Sequence, residues 1–140
     1  MTKLFFASAS FFGMTAVLLG AFGAHALKNK LPENLLHSYE TAVQYQFIHT
    51  LALLAVALFS KQLLTPITGQ ADSSTSFANL LNGAGISFIV GVVLFSGSLY
   101  LLSLTTLRTV GFINIGLLTP IGGLCFVIGW ALLLCAAIQQ

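Results

Sequence analysis

From Ser73 to Leu107 the chain contains no lysine, arginine, aspartate or glutamate, and beyond Arg108 it contains none at all. Each of these stretches exceeds the roughly 20 apolar residues that cross a bilayer. A domain folded in water carries about a quarter of its residues as charged groups. Here charged residues are 6% and hydrophobic residues 57%, too few charges to build a water-facing surface. Lipid is the expected solvent, and the expected fold is all-α: an integral membrane bundle of four transmembrane helices.

The length, 140 residues, suits a single membrane domain. Net charge is +2 and the charges are scattered singly. No basic stripe fits nucleic acid, and no basic run fits a lipid-binding tail. Met1 to Gly23 outlines a signal peptide, with Lys3 before an apolar run. Yet the run from Leu4 to Leu27 outlasts a signal core of about 7–15 residues, so a retained first helix is expected. Cys125 and Cys135 share the last apolar segment. Ten helical residues separate them by roughly 15 Å, beyond the reach of about 7 Å that a disulfide allows. They read as small apolar fillers.

Helices are expected at about 4–27, 33–60, 79–107 and 112–138, with a polar connector at 61–77. The first carries small residues at Gly13, Ala16, Gly20 and Ala24, a strip along which another helix can approach closely. Pro32 and Glu33 suit a helix start. From Glu33 to Gln44 the pattern is amphipathic, with Leu35, Leu36, Tyr39 and Val43 opposite Glu33, His37, Glu40, Thr41 and Gln44. That suits an interfacial stretch of helix running into the second span. Pro120 falls inside the fourth span, where it frees the carbonyl of Gly116. Short first and third connections predict two antiparallel hairpins, which puts both termini on one side. The lysines and arginine divide too evenly to orient the bundle.

The polar residues are distributed unevenly by depth. His25, Glu40, Tyr45, Gln46 and His49 lie towards the first connection; Tyr100, Arg108 and Asn114 lie around the third. The other half holds hydroxyls such as Ser8, Ser10, Thr15 and Ser60. A histidine in hydrocarbon is costly without a partner or water. Tyr45 and His49 are one turn apart on one helix face, and Ser96, Ser98 and Tyr100 add hydroxyls. Together these residues outline a polar cavity open to one side. Three roles remain open for the histidines: structural hydrogen bonding between helices, a proton relay or small-ligand site, and ligation of haem or a metal. No Gly-x-Ser-x-Gly elbow surrounds Ser96 or Ser98, and no enzymatic constellation is read.

Four blocks in order carry a resemblance: Gly20-Ala21-Phe22-Gly23-Ala24-His25; Tyr45-Gln46-x-x-His49 with Leu51-Ala52-Leu53; Leu94-Phe95-Ser96-Gly97-Ser98-Leu99-Tyr100; and Thr119-Pro120-Ile121-Gly122-Gly123 with Gly129-Trp130. In these the chain resembles the YgdD-like family of small membrane proteins, domain of unknown function 423, whose animal relatives are called transmembrane protein 256. The resemblance spans nearly the whole chain; the Ser/Thr-rich connector from Lys61 to Phe77 is the main departure. It implies a multi-spanning inner-membrane or plasma-membrane protein and no assigned activity. It picks out His25, Tyr45, Gln46, His49, Ser96, Ser98, Tyr100 and Pro120.

The expected function is non-enzymatic, with no cofactor or metal: a one-sided intramembrane cavity that binds or passes a small polar molecule, ion or lipid headgroup. Its ligand-binding residues would be His25, Tyr45, Gln46, His49, Ser96, Ser98, Tyr100 and Asn114. The rival expectation is a structural or assembly partner, including a homo-oligomer formed through Gly13, Ala16, Gly20 and Ala24. Besides these the only expected partner is the lipid bilayer.

Overall fold

In a computed structural model the described residues are 1–62, 71–105, 109–110 and 113–138. Four helical spans run through them: Thr2–Leu27, Glu33–Lys61, Thr75–Leu104 and Ile115–Ile138. All are long and apolar enough to cross a membrane, and the protein is an all-helical, four-span membrane bundle.

The first span is helix α1, Thr2–Phe22, extended by a π turn over Gly23–Leu27. The second is helix α2, Glu33–Gln62, without interruption. The third is split by a π turn at Val92–Ser96 into α3, Ala71–Gly91, and α4, Gly97–Leu104. The fourth is α5, Ile115–Ile138, with Pro120 inside it. The third connection is closed by a two-residue antiparallel pair, Thr109 with Asn114 and Val110 with Ile113. Arg108 and residues 63–70 of the expected connector lie outside the described residues.

Helix α3 begins at Ala71, two turns before the expected start. The Ser/Thr-rich half of the connector is thus helical. Along the start of α2, Glu33, His37, Glu40 and Gln44 are exposed and Tyr39 is buried, as expected, while Leu35, Leu36, Thr41 and Val43 are part-buried.

α1 packs along α2, and α3 packs along α5. The two hairpins meet where α2 lies against α3 and α4. The small-residue strip of α1 serves the first contact. Ala16 is buried, a Cβ on Gly13 would touch the Thr50 methyl at 3.5 Å, and one on Gly20 would touch Val43 at 3.4 Å. α2 of the same chain thus packs along this strip, which leaves Gly13 and Gly20 part-buried and Ala24 exposed.

The second hairpin is built from glycines facing aromatic rings. Phe88 fills the space beside Gly129, and Phe126 the space beside Gly91. At Gly122 the approach is closest, because a Cβ there would strike the backbone nitrogen of Phe95. The core runs between the hairpins through Phe5, Leu53, Val56, Leu81, Phe88 and Phe126. With lipid outside, such packing replaces the hydrophobic effect as the force between helices.

Gly122→Val is expected to lose about 1–3 kcal/mol, the usual range for overpacking. Gly97→Ala, whose added methyl meets nothing within 4 Å, should change stability by less than about 0.5 kcal/mol. Unfolding by SDS in mixed micelles, followed by circular dichroism, measures both. Equal stability of the two variants would refute the close approach of α5 to the π turn at Val92–Ser96.

Candidate functional site

Gln46 sits in the middle of the polar cluster and is buried. Its Nε2 donates to the Phe12 carbonyl at 2.9 Å and to Thr15 Oγ1 at 2.8 Å, both on α1. Its Oε1 accepts from the Tyr100 hydroxyl on α4 at 2.8 Å. Thr15 Oγ1 lies 2.9 Å from the Phe11 carbonyl and 3.1 Å from that of Phe12, so it has an acceptor for its own proton. One amide therefore joins α1, α2 and α4. Thr15, expected in the opposite half of the membrane, belongs to this network.

Two serines two residues apart serve different neighbours, as a helix of 3.6 residues per turn requires. Ser96 donates to the Ala42 carbonyl on α2 at 2.9 Å. Ser98 shares a 2.7 Å hydrogen bond with Thr119 on α5, beside Pro120. Tyr39 donates from its hydroxyl to the Leu19 carbonyl at 2.8 Å. Its ring lies on Gly23, where a Cβ would come within 2.7 Å of Tyr39 Cε1, and 5.1 Å from the Tyr100 ring.

His49 is enclosed by aromatic rings. Its ring stacks on Phe126 at 3.5 Å and 9°, with Phe88, Tyr45 and Trp130 also in ring contact. Trp130 Nε1 approaches His49 Nε2 at 3.3 Å. An indole N–H can only donate, so Nε2 accepts. The remaining proton then sits on Nδ1, which is 2.8 Å from the Tyr45 carbonyl and donates to it. Both ring nitrogens of this neutral imidazole are committed within the chain. A metal would have to take the Nε2 lone pair from Trp130.

The structure thus gathers Gln46, Tyr100, Ser96, Ser98 and His49 between the helices, mostly bonded to one another's elements. It does not bring His25 to them. His25 lies in the π turn after α1 and is exposed. Tyr45 turns its ring onto Phe95 at 4.5 Å and is partly exposed. Asn114 caps α5, its Oδ1 accepting from the Gly116 N–H at 3.0 Å, a local role.

A space open to a ligand lies elsewhere, at the first connection. A groove of about 250 Å³ runs between the end of α1 and the start of α2. Gly20, Gly23, Ala24 and Val43 form its apolar walls; Tyr39, Glu40 and Gln44 supply its polar ones. Glu40 and Gln44 are exposed and one turn apart. Sequence reasoning placed Glu40 towards the first connection but read no groove there. The Gly20-x-x-Gly23-Ala24 series opposite Glu40 and Gln44 was the available signal.

The family described as "Protein of unknown function (DUF423)" matches residues 19–123, which hold the groove and the whole network except Phe11, Phe12, Thr15, Phe126 and Trp130. The chain belongs to the DUF423 family. It is 38% identical to the UPF0382 membrane protein YwdK of Bacillus subtilis, over 98% of each chain. It is 40% identical to a UPF0382 membrane protein of Staphylococcus saprophyticus, over 94% of this chain and 93% of that one. The UPF0382 inner membrane protein YgdD of Escherichia coli is 38% identical, over 97% of this chain and 88% of its own. No solved structure matches the chain.

For this DUF423 chain, Gln46→Leu should cost about 1–2 kcal/mol, because it strips the acceptor from a part-buried Tyr100 hydroxyl. Adding Tyr100→Phe removes the orphaned group, so the double variant should be less destabilised than the sum of the singles by about 0.6 kcal/mol or more. A thermodynamic cycle from SDS unfolding reads this. Strict additivity would show that the two side chains do not interact.

Proposed function

We propose that this protein is a non-enzymatic membrane protein that binds a small polar molecule or lipid headgroup in the groove between the end of α1 and the start of α2. The groove itself carries the reading: about 250 Å³ of open space with a carboxylate and an amide in its wall. The buried network is then its scaffold. Tyr39 links the two: its ring forms a wall of the groove, and its hydroxyl ties α2 to α1. Of the residues expected to bind ligand, Gln46, Ser96, Ser98, Tyr100 and His49 act on this reading by holding the groove's helices in place. The plasma membrane is the proposed location, by analogy with the named inner membrane relative, with both termini on the same side.

A specific observation favours a second reading. Gln46, His49, Ser96 and Ser98, all buried between the helices, are each bonded within the chain, as suits a structural or assembly partner in a membrane complex or homo-oligomer.

Native mass spectrometry of gently extracted protein distinguishes the two. The wild type should carry a bound molecule that Ala24→Leu, which fills the groove from its exposed wall, no longer carries. A bare wild type with a defined oligomeric mass would replace the binding role with the assembly one.

A further inference from the structure

The groove's depth and chemistry narrow its ligand, granted that the groove is a binding site. We propose that it holds a phospholipid whose headgroup ends in a primary ammonium, the ethanolamine class.

Depth is the first argument. The α2 span ends at Lys61. Counting back about 20 residues, the length of helix that crosses the hydrocarbon, reaches Thr41 and Ala42. Glu40 then stands at the headgroup boundary, and Gln44 about one turn beneath it. The groove opens where a headgroup meets its acyl chains.

Chemistry is the second. Tyr39 has already given its proton to Leu19. The polar groups left in the wall are the Glu40 carboxylate and the Gln44 amide. Among the described residues Glu40 has neither an ion pair nor a hydrogen bond from its side chain. A carboxylate only accepts, so a ligand held there must donate, and a cationic donor also answers its charge. A primary ammonium offers three N–H groups to Glu40 and the Gln44 carbonyl; a quaternary ammonium offers none. Lys28 and Lys30, exposed at the same end of the bundle, complement the phosphate of such a zwitterionic head.

Size is the third. About 250 Å³ falls below the roughly 300–1,000 Å³ of pockets for drug-sized ligands. It suits a headgroup whose tails stay in the bilayer. Gly20, Ala24 and Val43 give that lipid an apolar wall where the tails leave.

The test uses the full chain in nanodiscs of phosphatidylcholine containing a minor share of phosphatidylethanolamine. Lipids retained on the protein are counted by native mass spectrometry. Phosphatidylethanolamine should be enriched about tenfold over its share, the effect of one charge-assisted hydrogen-bond set. Glu40→Gln, a change at an exposed position, should return it to its bulk share. Enrichment that survives Glu40→Gln, or retention of both lipids in proportion, overturns the ammonium assignment. Displacement of the retained lipid by free ethanolamine overturns the lipid as the ligand's source. Ala24→Leu separates these failures from failure of the groove. Lipid retained without headgroup preference but lost in Ala24→Leu overturns the ammonium and leaves the groove. Lipid retained equally by wild type and Ala24→Leu overturns the groove as a site.

Discussion

Apolar side chains gain little by leaving lipid for one another, so a membrane bundle cannot rely on the hydrophobic effect to choose one packing. The choice falls to groups that lipid solvates badly. In this chain the Gln46 amide is the chief of these. Buried on α2, it reaches α1 through Phe12 and Thr15 and α4 through Tyr100. Sliding either neighbour by one turn would leave amide or phenol protons unpaired in hydrocarbon, at a cost of several kcal/mol each. The bonds from Ser96 to Ala42 and from Tyr39 to Leu19 fix the same register from other points.

The second hairpin uses contact rather than polarity. Its glycines let aromatic rings and, at Gly122, a backbone strand of the neighbouring helix come close. The π turn at Val92–Ser96 falls within this contact. Ser96 at its end meets α2, and Ser98 just beyond it meets Thr119 on α5. Dispersion grows with such proximity and needs no water to drive it. His49 belongs to both systems, stacked on Phe126 and hydrogen-bonded to Trp130.

The four spans and their hairpin order were legible because long charge-free runs leave few other folds. Burial of Gln46, His49, Ser96 and Ser98 was legible in outline, since polar groups in such runs need partners. Their partners were harder to read. α2 is continuous from Glu33, as expected, but levels had not been matched between α2 and α5. His49 and Trp130 both stand roughly 15 residues beyond the starts of their helices, which run in the same direction, so they share a level. That match could have been counted in the sequence. Two other features could not. A π turn shifts the face of every residue after it, and nothing in Val92-Val93-Leu94-Phe95-Ser96 announces one. Exposure of His25 likewise depends on the π turn at Gly23–Leu27.

Excess length in α2 explains why polarity is open at one end and closed elsewhere. The α2 span, at 29 residues, is roughly 43 Å long, against a hydrocarbon thickness of about 30 Å. The surplus cannot be buried, so its first turns carry Glu33, His37 and Glu40 into the headgroup layer. α1 ends alongside them in small residues and a π turn, which withdraw its surface from α2 just where α2 becomes polar. A pair of equally long, equally bulky helices would have closed this space. The mismatch between a long polar-ended helix and a small-sided neighbour leaves a carboxylate lining a recess at the depth of the lipid heads. That recess follows from the same two sequence features that form the first hairpin, the small residues of α1 and the amphipathic start of α2.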